Sequence, residues 1–166
     1  MLYSHTSEIA IRAVLYLALQ PPGKLSPVRE IARATGLSGP YLAKIMGRLI
    51  RAGLVRAFRG PRGGLELGRS PELITLWSVV QAMDGAAPAE RCVLGLRACS
   101  TERPCPLHEQ WFPLRAGMQR LLEETTLASL LGGLRDATQL GPEAWARIPS
   151  ASIAAKSGEK QGRRVS

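Results

Sequence analysis

The sequence predicts a mainly α fold with one small β-hairpin, arranged as a winged helix-turn-helix followed by a long dimerisation helix. Two helical patterns meet at the short turn Thr35-Gly36-Leu37-Ser38. Two short apolar runs then flank Arg59-Gly60-Pro61-Arg62-Gly63-Gly64, a hairpin loop by its Gly and Pro content. Further on, Trp111, Leu114, Met118, Leu121 and Leu122 mark a longer amphipathic helix. Helix, turn, helix, then a hairpin with a basic tip is the order of a winged head.

The elements follow in chain order. Ile9, Ala13, Tyr16 and Leu17 recur at helical spacing and stop before Pro21-Pro22-Gly23. A second helix opens at Ser26-Pro27, with Ser placed to cap and Pro allowed in the first turn, and ends near Gly36. The third opens at Ser38. Its Leu42, Ile45, Met46 and Leu49 form a buried stripe, while Tyr41, Lys44, Arg48 and Arg51 occupy another face, and Gly53 closes it. The hairpin strands are Leu54–Phe58 and Leu65–Leu67. A fourth helical pattern spans about Pro71 to Met83, with Leu73, Leu76, Trp77 and Val80 on one side. In the last long helix, from about Pro106 to Thr126, Pro113 removes a backbone donor and should kink the helix or set its start. The expected organisation is a DNA-binding head over residues 1–84, a cysteine loop over 85–105, a dimerisation region over 106–140 and a disordered basic tail over 141–166.

The formal net charge is +9 over 166 residues, and it is unevenly placed. Residues 1–70 hold 11 Lys and Arg against three Glu, whereas residues 71–140 hold six basic and eight acidic residues. A basic first half beside a mildly acidic middle points to a polyanion, with double-stranded DNA the first candidate. No stretch approaches the roughly 20 uninterrupted apolar residues that span a bilayer. Glu8 and Arg12 interrupt the apolar N-terminus, so it reads as an amphipathic helix, and a cytoplasmic protein without a membrane partner is expected. Catalysis is not expected. Only His5 and His108 could serve acid–base chemistry, and Arg59–Gly64 lacks the lysine and Ser/Thr of a phosphate-cradling P-loop.

In a winged head the second helix of the pair enters the major groove with its N-terminal residues on the base edges. Those residues here are Ser38, Gly39, Pro40, Tyr41 and Lys44, with Arg48 a turn further on. Gly39 allows close backbone approach, Ser38 and backbone amides can bind phosphate, and Tyr41 and Lys44 can reach outward. The wing tip places Arg59 and Arg62 on either side of Pro61, and such cations suit the negative potential of a narrow minor groove.

All three cysteines, Cys92, Cys99 and Cys105, lie within 14 residues. Cytosolic thiols are kept reduced, and clustered ones there serve metal or redox chemistry more often than disulfides. Zinc knuckles use tighter Cys-x2–4-Cys spacing. Gaps of six and five residues can instead arch a loop over an iron–sulfur cluster. Arg97 and Arg103 can offset the negative charge of such a cluster. Structural zinc, or thiols without metal, are the other readings. A fourth ligand is needed for a cluster, either His108 or Glu8 reaching from the partner subunit of a homodimer.

With Leu37-Ser38-Gly39-Pro40-Tyr41-Leu42, Arg59–Gly64 and the three-cysteine loop assembled, the chain resembles the iron–sulfur winged-helix regulators of the IscR, NsrR and RirA type over about residues 1–135. The resemblance implies a homodimeric regulator that binds a promoter palindrome. A 2Fe-2S or 4Fe-4S cluster would report iron–sulfur supply, iron, nitric oxide or redox state. The family's ligating cysteines fall on Cys92, Cys99 and Cys105, and its fourth ligand on His108 in some members and on Glu8 in others. The first gap holds six residues where many members have five, an excess to be absorbed around Gly95. The resemblance also implies a dimer in which Leu114, Met118, Leu121 and Leu122 pair across a two-fold axis, setting the recognition helices roughly 34 Å apart.

Overall fold

The computed structural model describes residues 3–85, 92, 94, 102 and 104–136. Its elements are α1 (His5–Ala18), α2 (Val28–Thr35), α3 (Gly39–Arg51), β1 (Val55–Phe58), β2 (Gly64–Leu67), a 3-10 turn (Pro71–Leu73), α4 (Leu76–Asp84), α5 (His108–Glu124) and α6 (Leu127–Asp136). The fold is mainly α with a two-stranded antiparallel hairpin, as the sequence predicts.

One core holds the head together. It takes Ile9, Ala13 and Val14 from α1, Ile31 from α2, and Leu42, Ile45, Met46 and Leu49 from α3. Leu54, Val55 and Leu65 of the hairpin, Val79 and Met83 of α4, and Leu127 of α6 complete it. Full burial of a Leu or Ile contributes about 1.5–3 kcal/mol, so the stripe on α3 alone is a large share of the head's stability.

The helix-turn-helix is built by local chemistry. Gly36 takes a left-handed φ of 71° that ends α2, and Leu37 N–H returns to the Ala32 carbonyl at 2.9 Å. The buried Arg12 of α1 donates from Nη2 to the Thr35 carbonyl at 3.1 Å, satisfying another exposed end of α2. Helix α3 then starts after Ser38 with Pro40 in its first turn.

In the hairpin, Val55 pairs with Leu67 and Phe58 with Gly64. Ser26 does not cap α2, contrary to the sequence reading. It is buried and forms an isolated β-bridge to Leu65, bonded in both directions at 2.9 Å, and Pro27 becomes the cap. The tip closes through Gly63 N–H to the Gly60 carbonyl at 2.9 Å, with Gly60 at φ 112°. A Cβ on Gly63 would collide with the Phe58 carbonyl, and one on Gly64 would lie 2.9 Å from Ser26 backbone atoms. Gly63 and Gly64 are therefore required by close packing.

The fourth helical pattern is broken in two. Ile74 and Thr75 are extended, and Leu73 is 69% exposed instead of joining an apolar side. Thr75 pairs with Thr126, Leu76 N–H bonds the Thr125 carbonyl at 2.9 Å, and Leu127 N–H bonds the Ile74 carbonyl at 2.9 Å. Thr75 and Thr126 then cap α4 and α6 through their side chains, accepting from Ser78 N–H at 3.1 Å and Ser129 N–H at 3.2 Å. The helix expected from about Pro106 to Thr126 is α5, and a further helix, α6, follows it. Helix α5 runs through Pro113 without ending there, and α6 folds back onto the head, with Leu127 fully buried.

Candidate functional site

Two regions carry the sequence-assigned residues. The first is the exposed side of α3 and the wing. Ser38, Pro40, Lys44, Arg48 and Arg51 are exposed, and Gly39 is partly so. Arg59, Pro61 and Arg62 are exposed at the wing tip. Arg56, by contrast, is tied across the hairpin to Glu66 at 2.9 Å and belongs to the wing's own structure. A groove of about 560 Å³ runs along α3, lined by Thr6, Tyr41, Lys44, Arg48 and Arg51 among others. Three cations on one side of a groove with no carboxylate in its lining make a surface for a polyanion.

Tyr41 does not simply reach outward. It is half-buried against the core, and its hydroxyl lies 3.2 Å from Thr6 Oγ1 at the start of α1. The start of α1 is itself anchored by Asp84, the last residue of α4. The Asp84 carboxylate accepts from Ser4 N–H at 2.7 Å, Ser4 Oγ at 2.6 Å and Ser7 Oγ at 2.8 Å.

The second region is the cysteine site. Cys92 is buried and Cys105 half-buried, and their sulfurs lie 4.0 Å apart. Two thiolates on one tetrahedral metal, each bound at about 2.3 Å, would be about 3.8 Å apart, so this pair fits a shared metal. Cys99, Gly95, Arg97 and Arg103 lie outside the described residues. Among the described residues no set of three His, Cys, Asp or Glu side chains converges as a metal site. His108 begins α5; its N–H bonds the Cys105 carbonyl at 2.9 Å and its buried ring stacks on Phe112, centroids 5.6 Å apart. Glu8 lies 3.1 Å from His5 Nδ1 within its own protomer and is about half exposed.

Arg115 was not singled out by the sequence patterns. It is buried on the same helix face as His108, two turns on, with its guanidinium 5.4 Å from the Phe112 ring centroid. Its Nη1 atom is buried and has no hydrogen-bond partner among the described residues. A guanidinium stays charged at any physiological pH, so this atom calls for an anion. The seven-residue spacing from His108 was the available signal. Thr6 and Asp84 carried none, because their partners are 35 and 80 residues away.

The fold and the basic α3–wing surface define a DNA-binding transcription regulator of winged-helix type. Residues 3–133 match the model of the Rrf2 family, described as "Iron-dependent Transcriptional regulator", and the chain belongs to that family. An HTH-type transcriptional regulator IscR of Yersinia pseudotuberculosis is 34% identical over 122 residues, covering 74% of each chain. A protein of Aquifex aeolicus named as an HTH-type transcriptional regulator is 35% identical over 133 residues, covering 79% of this chain and 92% of its own. Among solved structures, T. potens IscR aligns with a TM-score of 0.66 at 25% identity, covering 81% of this chain and 88% of its own. CymR, the global cysteine regulator of B. subtilis, aligns at 0.64 with 27% identity, covering 76% and 93%. Relatives named as transcription regulators point to a role without catalysis. Among the described residues no helix is long and apolar enough to cross a membrane.

Proposed function

We propose that this protein is a homodimeric transcription regulator whose affinity for a promoter palindrome is controlled by an iron–sulfur cluster bound through Cys92, Cys99 and Cys105. The observation that carries the reading is the 4.0 Å approach of the Cys92 and Cys105 sulfurs where the cysteine loop meets α5. The family description as iron-dependent and the IscR relatives support iron over other metals. The fourth ligand is His108 or Glu8 of the partner subunit. A bound cluster would supply an anionic centre sensitive to iron supply, nitric oxide or redox state. The 4.0 Å sulfur pair suits 2Fe-2S, in which two cysteines can share an iron, better than 4Fe-4S, in which each iron takes one.

The chain's own residues do the rest. Lys44, Arg48, Arg59 and Arg62 draw the DNA backbone to α3 and the wing, and Ser38 to Tyr41 meet the base edges. Arg115 offsets the charge of the thiolates from the buried face of α5. The exposed stripe Leu114, Met118 and Leu121 pairs with its copy, which fixes the spacing of two recognition helices. To act as a control, the loaded and stripped sites must differ in DNA-binding free energy by about 1–3 kcal/mol.

A second reading is favoured by the same distance, because 4.0 Å also suits two thiolates on a structural zinc. Anaerobic purification followed by a visible spectrum and iron, zinc and sulfide analysis separates them. Brown protein with matching iron and sulfide, and promoter affinity that changes when the cluster is removed, supports the cluster reading. Colourless zinc protein, or equal affinity with and without the cluster, overturns it.

A further inference from the structure

The geometry points to Thr6 as a positioning residue for DNA recognition: anchored by the Asp84 clamp, it fixes Tyr41 at the reading end of α3. This inference rests on the DNA-binding part of the proposed function and goes beyond it, since Thr6 lies on α1, outside the helix-turn-helix and the wing.

Tyr41 sits in the first turn of α3, between Pro40 and Leu42, and Leu42 is fully buried. The backbone there is fixed by the core, but a tyrosine ring still has two torsions to set. Its hydroxyl meets Thr6 Oγ1 at 3.2 Å, and either oxygen can donate. A Tyr hydroxyl both donates and accepts, so holding one of these roles on Thr6 leaves the other available to what enters the groove. Both residues line the groove that Lys44, Arg48 and Arg51 make basic.

Thr6 can serve as a fixed reference because Ser4 and Ser7, on either side of it at the start of α1, are held. Ser4 caps α1, accepting from Ser7 N–H at 3.2 Å, and both serine hydroxyls donate to Asp84. Ser7 is fully buried. Asp84 in turn is the last residue of α4, next to Gly85, where the chain leaves for the cysteine loop. Threonine is also stiff at its first torsion in a helix, which limits where its oxygen can go.

The test begins with in vitro selection of a DNA site by the full wild-type protein. Thr6→Val keeps the β-branched shape and removes only the hydroxyl. Loss of one ordinary hydrogen bond should weaken binding to the selected site about three- to tenfold. Affinity for random-sequence DNA, and the salt slope on the selected site, should stay at wild-type values because no charge is removed. Tyr41→Phe should lose a similar factor, the double variant should lose no more than the worse single, and Thr6→Ser should recover wild-type affinity. Circular dichroism melts of each variant check the fold. Selection that enriches no sequence with wild type overturns the DNA-reading function and this inference together. A selected site bound equally by wild type and Thr6→Val overturns only the inference. So does an equal loss on selected and random DNA, which would mark Thr6 as a phosphate contact or a purely structural group.

Discussion

The sulfurs of Cys92 and Cys105 lie 4.0 Å apart although 13 residues separate them in the chain. That is too far for a disulfide, whose S–S bond is about 2.05 Å, and close to the spacing of two thiolates on one metal. One sulfur lies in the loop and the other at the foot of α5, so a shared metal would join the loop to the C-terminal helix. Cys92→Ala should abolish metal retention while leaving the far-UV spectrum and the melting of the head close to wild type. Loss of the folded head with the metal would mean that the thiol is a core residue first.

Arg115 gives a prediction of opposite signs. Its buried Nη1 has no partner among the described residues, and an uncompensated buried cation there would destabilise the metal-free protein. Arg115→Met should leave the metal-free melting temperature unchanged or raise it, and should weaken binding of Co²⁺ or iron severalfold. Unaltered metal affinity in an Arg115→Met protein would remove Arg115 from the site.

The wing tip predicts a change in salt dependence. Arg62 is exposed beside Pro61 at the end of the hairpin and carries no carboxylate partner among the described ion pairs. Arg62→Ala should weaken DNA binding and lower the slope of log K against log salt by about 1. An unchanged slope and footprint would place the wing away from the DNA.

Helix α5 separates two groups that sequence spacing merges. Leu122 is buried within its own protomer, whereas Leu114 and Leu121 are 61% and 63% exposed on one line with Met118. Leu114→Glu with Leu121→Glu should convert dimers to monomers in sedimentation and reduce palindrome affinity to that of a half-site. A wild-type sedimentation mass in the double variant would show that another surface joins the subunits.

The Tyr16–Glu30–Lys24 cluster sets pH limits on stability. Glu30 Oε1 accepts from Lys24 Nζ and from Tyr16 Oη, both at 2.7 Å. The hydrogen bond from Lys24, then that from Tyr16, holds the Glu30 pKa below its ordinary value. Its contribution is therefore present above the unfolded pKa and lost as pH falls through the folded one. Burial, then the hydrogen bond to Glu30, pushes the Tyr16 hydroxyl up to about 12. That contribution is complete below pH about 10 and lost towards about 12. The melting-temperature difference between wild type and Glu30→Gln should shrink on acidification, and Tyr16→Phe should flatten the alkaline fall. Parallel curves for wild type and variant would contradict each assignment.

Much of the head was legible because its signals are local. The stripe Leu42, Ile45, Met46 and Leu49 is core as its spacing predicts, since a helix of period 3.6 puts those four on one side. Gly36 marks the turn between α2 and α3, and Arg59–Gly64 marks the wing, because backbone torsion and close packing are requirements of single residues. The break at Ile74-Thr75 was not legible. Leu73, Leu76, Trp77 and Val80 keep helical spacing across it, and only the pairing of Thr75 with Thr126 forces the chain to extend. Ser26 was misread for the same kind of reason: Ser-Pro is a good helix start locally, but Leu65 claims its backbone.

The sequence by itself determined the winged-helix order, the buried stripe of α3, the basic exposed face of α3 and the presence of three clustered thiols. Each follows from periodicity, turn chemistry, charge or spacing within a few residues of chain. Only the tertiary structure decided that Cys92 meets Cys105, that Arg115 buries a charge on the His108 face, and that Thr6 meets Tyr41 beneath an Asp84 clamp. The Cys92–Cys105, Thr6–Tyr41 and Ser4–Asp84 pairings join residues 13 to 80 positions apart. Their partners are chosen by how the helices pack around one core, and no local pattern encodes that choice.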